Sequence, residues 1–427
     1  MSAAFVLFSA FVFLLLIGAP ITVALGVASM SAFLVVGQDL STLVQIAFSS
    51  VNSFPIMALP AFVLAGALME CAGVSRRLVK VAESMVGTID GGLAISTTLA
   101  CVFFGAISGS GPATTAAVGM LMIPAMFKRG YDHGYAAAAT ATAGGIGIII
   151  PPSIPMVIYG VTAQESITKM FVAGVVPGLL ISLGLIVLHY VRCRGKSLTL
   201  GAEPWSFTNM KRSFREGFWA ILAPVVILGG IYSGLFTPTE AAIVSIFYTL
   251  IIGIFVYKEM TISGLMKSLQ TTSWLTGRVL VIMFTAYAFG RLLVQYHIPA
   301  MIAETLLSVT SDVHIIWALV ILFLLFMGMF METLAIIMLV TPVLLPVMTS
   351  LGVDPIHFGV VLVCCCGVGF STPPLGENMF IASGIADISL EEISYKALPF
   401  CAVTVGAIFL MAYCPAIVLW LPKLMGY

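Results

Sequence analysis

Nine stretches of the chain are long and apolar enough to cross a bilayer: 4–36, 43–70, 135–163, 170–191, 217–236, 239–257, 274–296, 357–386 and 398–421. A crossing helix needs roughly 20 such residues. Two other apolar stretches, 92–127 and 313–349, behave differently. Lys and Arg cluster at 76–80, 128–129, 192–215 and 258–267, whereas 37–42, 297–312 and 350–356 hold none. The positive-inside rule assigns the first set to the cytoplasm and the second to the opposite face. On that assignment 92–127 starts and ends inside, and 313–349 starts and ends outside. Each is too short for two crossings of roughly 20 residues plus a turn. Each is interrupted near its centre, by Ser108-Gly109-Ser110-Gly111-Pro112 and by Gly328 through Thr333. The pattern predicts two re-entrant helical hairpins that enter from opposite faces.

The segment Gly145-Ile-Gly147-Ile-Ile-Ile-Pro151-Pro152 recurs 222 positions later as Gly367-Val-Gly369-Phe-Ser-Thr372-Pro373-Pro374. The same offset pairs Pro124 with Pro346, Met126 with Met348, Pro177 with Pro399 and Gly184 with Gly406. This is an internal duplication. Both copies of the segment lie inside a predicted crossing, and Gly and Pro break helices there, so 135–163 and 357–386 are expected to be broken helices. Unwound backbone in lipid is tolerated only where it lines a cavity or is buried in protein. The expected fold is an all-α polytopic membrane protein with inverted-topology repeats, 1–191 and 239–427. A cytoplasmic linker and connecting helix, 192–238, joins them, its odd crossing at 217–236 producing the inversion. Nine crossings put the N-terminus in the cytoplasm and the C-terminus outside. The stretches 192–216 and 261–272 have the mixed pattern of interfacial amphipathic segments.

Composition narrows the classes. Of 427 residues 60% are hydrophobic and 8% charged, with a mean hydropathy of +1.14, against about a quarter charged in soluble domains. The apolar N-terminus has neither a basic start nor a cleavage pattern and is expected to be a retained helix. The eight cysteines show no CxxC pair and read as small core residues. Gly195-Lys196-Ser197 resembles the end of a phosphate-binding loop, but Tyr190 stands where its first glycine belongs, so no ATP site is expected.

Glu332 is the sole formal charge between Asp312 and Asp354. An ionised carboxylate near the bilayer centre costs about 2.5–3.5 kcal/mol on insertion scales, so it marks either a functional site or a salt-bridged structural acid. Thr333 beside it and Glu377-Asn378 past the second break add polar groups at depth. Ser108, Ser110, Thr114 and Thr115 surround the first tip, and Ser153 follows the first break. Such serines can be simple packing residues. As a cluster of hard, mostly uncharged oxygens near helix starts they suit an alkali cation, and sodium is the inferred driving ion. Arg278 and Arg291 read as snorkelling structural residues. Thr237-Pro238-Thr239-Glu240 reads as a helix stop followed by a capped start. An intramembrane hydrolase would need a histidine beside a mid-membrane serine. All five histidines fall near predicted helix ends. A passive channel remains a rival, since channels also use re-entrant loops.

In combination, Gly105-Ala-Ile-Ser108-Gly-Ser110-Gly, the two Gly-Pro breaks, Thr237-Pro238-Thr239-Glu240, Gly328 to Thr333 and Thr341-Pro342 resemble the large membrane subunit of tripartite ATP-independent periplasmic transporters. The resemblance covers essentially the whole chain. It implies a bacterial inner-membrane sodium symporter of an elevator type that takes up an organic acid handed over by a periplasmic binding protein. It also implies a small four-helix membrane subunit, expected as a separate polypeptide, and no nucleic-acid partner. Carried onto this chain, one sodium site lies among Ser108, Gly109, Gly145, Gly147 and Pro151, and its mate among Gly328, Thr333, Gly367, Gly369 and Thr372. Substrate would sit between the tips, with Ser108, Ser110, Ser153, Glu332, Thr333 and Asn378 as candidate contacts. The similarity leans to the sialic-acid branch, with a C4-dicarboxylate as the alternative.

Overall fold

The computed structural model describes residues 3–195, 205–310, 312–373 and 376–427. Lys196, Ser197, Pro374 and part of the 192–216 linker lie outside the described residues. Twenty α-helices account for most of the rest. The first half holds α1 (Ala3–Leu16), α2 (Ile21–Val36), α3 (Leu40–Val51), α4 (Ala58–Cys71), α5 (Val74–Val86), α6 (Gly92–Ser108), α7 (Gly111–Lys128), α8 (His133–Gly144), α9 (Ile154–Ala163) and α10 (Ile167–Cys193). After the connecting α11 (Phe207–Tyr232) come α12 (Pro238–Ile251), α13 (Ile262–Gln295), α14 (Ile298–Val309), α15 (Val313–Gly328), α16 (Thr333–Ser350), α17 (Pro355–Gly369), α18 (Glu377–Ala386), α19 (Leu390–Tyr413) and α20 (Pro415–Leu424). Among the described residues seven helical stretches, the shortest of them 18 residues, are long and apolar enough to span a membrane.

Shifting the first half by 222 positions lays α5 through α10 on α14 through α19, each start agreeing within two residues. The halves pack reciprocally: α7 lies on α18 as α16 lies on α9, and α8 lies on α19 as α17 lies on α10. Reciprocal pairing of this kind is the mark of a two-fold relation between like units. Side-chain caps set the helix starts on which this register depends. Ser110 accepts from the Ala113 N–H, Asp132 from Tyr135, Ser153 from Met156 and Asp354 from Ile356, each satisfying an N–H that the first turn leaves free.

Both expected breaks are present. α8 passes through a 3-10 turn at Gly145–Ile148 before α9, and α17 stops at Gly369 before α18. The breaks meet each other. A Cβ on Gly145 would lie 2.7 Å from the Gly367 carbonyl oxygen, and one on Gly367 would lie 3.3 Å from that of Gly145. Each hairpin also crosses its own break through glycine: Gly105 against the Gly147 Cα and Gly328 against the Gly369 Cα, with room for a Cβ of only 2.8 and 3.1 Å. Backbone packs directly on backbone at these crossings, as small residues allow in membranes.

The structure departs from the sequence reading at several boundaries. The stretch 4–36 is two helices. Gly18 takes a left-handed φ of +79° and Pro20 cannot donate to a continuing helix, so the chain turns and α1 folds back on α2. The stretch 43–70 divides at Asn52-Ser53-Phe54-Pro55, while its counterpart α13 runs unbroken for 34 residues. The loops around 76–80 and 297–312 are largely helix, α5 and α14. In α5 the pattern is amphipathic: Val74, Leu78, Val81 and Ala82 are buried, and Arg76 and Lys80 point outward. The segments at 261–272 and 207–216 are the first turns of α13 and α11 rather than separate surface helices.

Gly145→Ala should therefore lower the thermal stability of the purified protein by about 1–3 kcal/mol, the usual cost of overpacking. Gly277→Ala, where a Cβ meets nothing within 4 Å in mid-helix, should gain up to about 1 kcal/mol. Melting curves of the two variants check both signs.

Candidate transport site

The hairpin tips and the second break enclose one side of a cavity of about 340 Å³. Ser110 and Pro112 come from the first tip, Glu332 and Thr333 from the second, Phe370, Glu377 and Phe380 from around the second break, and Trp274 and Arg278 from α13. A neighbouring cavity of about 560 Å³ shares Arg278, Glu332, Thr333 and Glu377 and extends to the α1–α2 turn at Gly18–Thr22. The two form one region where elements of both repeats converge.

Arg278 dominates its electrostatics. Its Nη2 lies 3.0 Å from Glu332 Oε2 and 3.5 Å from Glu377 Oε1, and its guanidinium stands 5.6 Å from the Trp274 ring centroid. Glu332 has the position of an N-cap at α16 yet makes no cap hydrogen bond. Its carboxylate is committed to the arginine. Glu377 opens α18, where the helix dipole favours an acid. With both acids ionised, one guanidinium faces two carboxylates.

Behind the first tip is a neutral oxygen cluster. Ser108 Oγ and Thr114 Oγ1 are 3.0 Å apart, and Thr114 donates to the Ser110 carbonyl at 2.7 Å. Gly147 packs against this pair so closely that a Cβ would lie 2.9 Å from the Ser110 oxygen and collide with the Thr114 hydroxyl. Next to Thr114 in the chain, Thr115 Oγ1 is buried against Gly144 with no hydrogen-bond partner. Asn378 donates from Nδ2 to the Ala141 carbonyl at 3.0 Å, while its Oδ1 is buried without a partner. Buried acceptors without partners are rare. Orphaned neutral oxygens beside unwound backbone fit a hard monovalent cation. Among the described residues no group of three or more His, Cys, Asp or Glu is placed to hold a metal.

Of the candidate substrate contacts, Ser110, Glu332 and Thr333 line the cavity, while Ser108, Ser153 and Asn378 do not. Ser153 caps α9 and donates to the Ile148 carbonyl. In the first proposed ion set, Gly147 meets Ser110 and Thr114 beside Ser108, and Gly109 meets the Pro152 carbonyl, whereas Gly145 faces Gly367 instead of the tip. Pro151 is buried in the break. In the second, Gly328 meets Gly369, Thr333 and Cys366 line the same cavity, and Thr372 donates to the Val368 carbonyl at 2.6 Å. Arg278 is the residue that the sequence reading misjudged. Instead of snorkelling to a helix end, it turns into the cavity. The signal was present in Trp274 and Arg278, spaced i, i+4 on one face of the helix.

The chain matches the model of the tripartite ATP-independent periplasmic transporter DctM component over residues 8–417. It belongs to this family. Relatives include the isethionate TRAP transporter permease protein DctMQ of Oleidesulfovibrio alaskensis, 43% identical over 96% of this chain, which spans 65% of that longer relative. The C4-dicarboxylate large permease DctM of Pseudomonas aeruginosa is 40% identical, with 89% of this chain and 88% of that protein covered. The sialic acid large permease SiaM of Vibrio cholerae is 37% identical, with 88% of each covered. In fold, the permease is similar to the crystal structure of the Alcanivorax borkumensis YdaH transporter, with a TM-score of 0.60 at 15% identity over 94% of this chain and 97% of that one.

Removing the cation from an acid–arginine–acid cluster leaves two carboxylates face to face. Arg278→Met should lower the melting temperature, and adding Glu332→Gln should recover part of the loss. A double-mutant cycle on melting curves should give a coupling of about 0.5–3 kcal/mol. A coupling of zero would mean that the contact does not form.

Proposed function

We propose that this permease drives sodium-coupled uptake of a small monoanionic organic acid, which a periplasmic binding protein delivers and a small membrane subunit helps to carry. The observation that carries this reading is the single guanidinium between Glu332 and Glu377 at the meeting point of the tips. With both acids ionised, that cluster holds one negative charge in excess. An arriving organic anion takes the excess to two, and two monovalent cations return it to neutrality. Each repeat offers one unwound crossing for such a cation. Substrate and sodium then enter together because neither charge is tolerated alone in a low-dielectric pocket. One arginine suits one acid group, and the two carboxylates disfavour a second. That favours a sulfonate or monocarboxylate, the class of both isethionate and sialic acid, over a C4-dicarboxylate. The relatives no longer single out the sialic-acid branch.

Arg278 stands on α13, which packs on α2, α3 and α4 and also on α16 of the second hairpin. Glu332 and Glu377 stand on the second hairpin and the second broken helix. In an elevator cycle the ion pairs would join frame to carrier, and substrate binding would loosen them. On this reading the basic ends of α5 and α7 face the cytoplasm of a bacterial inner membrane. With α1 packed against α2, the N-terminus would then share the side of the 37–39 turn, which holds no cation. A single crossing over 4–36 would put it inside instead.

Proteoliposomes holding both membrane subunits, supplied with the loaded binding protein, test the coupling. An inward sodium gradient should drive accumulation above the external concentration. Accumulation that persists with potassium in place of sodium would defeat the proposal, and downhill flux alone would indicate a channel. Thr115→Val tests the ion site separately. If the hydroxyl merely lacks a partner, its removal is neutral or stabilising. If it ligates sodium, the variant should fold normally and need several-fold more sodium for half-maximal uptake.

A further inference from the structure

We infer that a recess between α5, α11 and the end of α12 is a binding site for the phosphate headgroup of an anionic phospholipid. The recess has a volume of about 390 Å³ and is lined by Arg76, Arg77, Lys80, Arg215, Glu216, Trp219, Val256, Tyr257 and Glu259. Four cations face two acids. Arg77 is already committed: it pairs with Glu259 at 2.8 Å, donates to the Gly73 carbonyl at 2.9 Å and lies 3.6 Å from the Tyr257 ring centroid. Glu216 is held by Arg212 at 3.0 Å, and Lys80 reaches it only at 3.8 Å. Arg76 stands 3.7 Å from Glu259 with most of its side chain exposed, and Arg215 is exposed with no ion pair among the described residues. Arg76, Lys80 and Arg215 are therefore the cations with capacity to spare.

The walls are amphipathic. Trp219 and Val256 on one side are exposed and continue into exposed Phe218 and Phe255, a surface suited to the glycerol and first methylenes of a lipid rather than to a free anion in water. The recess is shaped by a π-helical turn at Ile252–Val256, after which Lys258 takes a φ of +56°.

The duplication supplies an internal comparison. The counterpart of α5 is α14, which carries Glu304 and no Lys or Arg. The fold therefore does not require cations at this position. The positive-inside tendency accounts for cations on this face, but not for their convergence on one recess with an aromatic, lipid-facing wall. Basic recesses between helices at the cytoplasmic surface are a recognised way to hold lipid phosphates.

Native mass spectrometry of the complex of both membrane subunits tests this, with phosphatidylglycerol or phosphatidylcholine titrated into the detergent. Phosphatidylglycerol should be retained about tenfold more tightly. Arg76→Gln with Arg215→Gln should abolish that preference, raised salt should weaken it, and Lys128→Gln with Arg129→Gln should leave it intact. Melting curves in phosphatidylcholine alone should show both pairs folded like the parent. Equal retention of the two lipids, or a preference indifferent to the first pair, would overturn the site. Inorganic phosphate that competes as well as the lipid would make it a free-anion site and also overturn it. Phosphatidylglycerol retained by the large subunit alone but expelled by the small one would assign the surface to the partner.

Discussion

Carbonyl and N–H groups released by a helix break have no water to turn to inside a bilayer, so every unwound residue must be enclosed by protein. This permease meets that demand twice at once by placing its two breaks against each other. Gly145 and Gly367 approach so closely that neither has room for a side chain, and Ser371 and Asn378 of the second break both donate to the Ala141 carbonyl before the first. Neither break is a self-contained defect. Each is roofed by its duplicate, and the hairpins close the remaining sides through Gly105 on Gly147 and Gly328 on Gly369. The two-fold relation is thus a condition of stability as well as a relic of duplication, because a single copy would leave its broken helix open to lipid.

The duplicates have diverged in chemistry while keeping geometry. The first tip offers only hydroxyl and backbone oxygens, with Ser108, Ser110 and Thr114 bonded among themselves. The second tip carries Glu332, held by Arg278 from outside the hairpin. A neutral tip can accept a cation without repelling an anion, whereas a charged tip needs a counter-charge at all times. An arginine on a neighbouring helix supplies that counter-charge and ties the tip to a helix that belongs to neither hairpin nor break.

Much of this was legible in the chain because it depends on backbone. The 222-residue offset, both breaks and both hairpins are written in glycine and proline, whose effects are local and independent of what packs around them. Glu332 was legible because an isolated acid in an apolar span has few explanations. What escaped depends on partners far away in sequence. Arg278 could reach a helix end or the cavity equally well, and only the folded position of Glu332 and Glu377 decides between them. Ser108, Ser110 and Ser153 have the same composition signal, and Ser110 and Ser153 both cap helices, yet of the three Ser110 lines the cavity, while Ser153 is buried in the first break and Ser108 is bonded to Thr114 behind the tip. α5 and α14 were read as loops because charge was counted by position rather than by helical face. The 4–36 stretch was read as one crossing because hydropathy averages over the Gly18 to Pro20 turn.

The Gly18–Thr22 turn has a consequence for the site. Because α1 turns back there, its loop borders the same cavity region as Glu332 and Glu377, opposite the hairpin tip. A straight 33-residue helix would have carried those residues past the cavity along the membrane normal and left Arg278 with an apolar wall behind it. The turn instead places backbone groups near the ion-pair cluster, close to α13, where Gly26 meets Thr285. The N-terminal hairpin and α13 thus make one continuous face on which the second hairpin packs through apolar contact, Gly290 against Pro342 and Phe8, Phe289 and Leu293 lining one cavity with Leu339 and Val343, while the Arg278 ion pairs join its tip and the second break to that face. Charge is thus confined to the end of that contact which borders the cavity, where Arg278, Glu332 and Glu377 meet, and the rest of it is closed by apolar side chains as a bilayer-embedded contact must be.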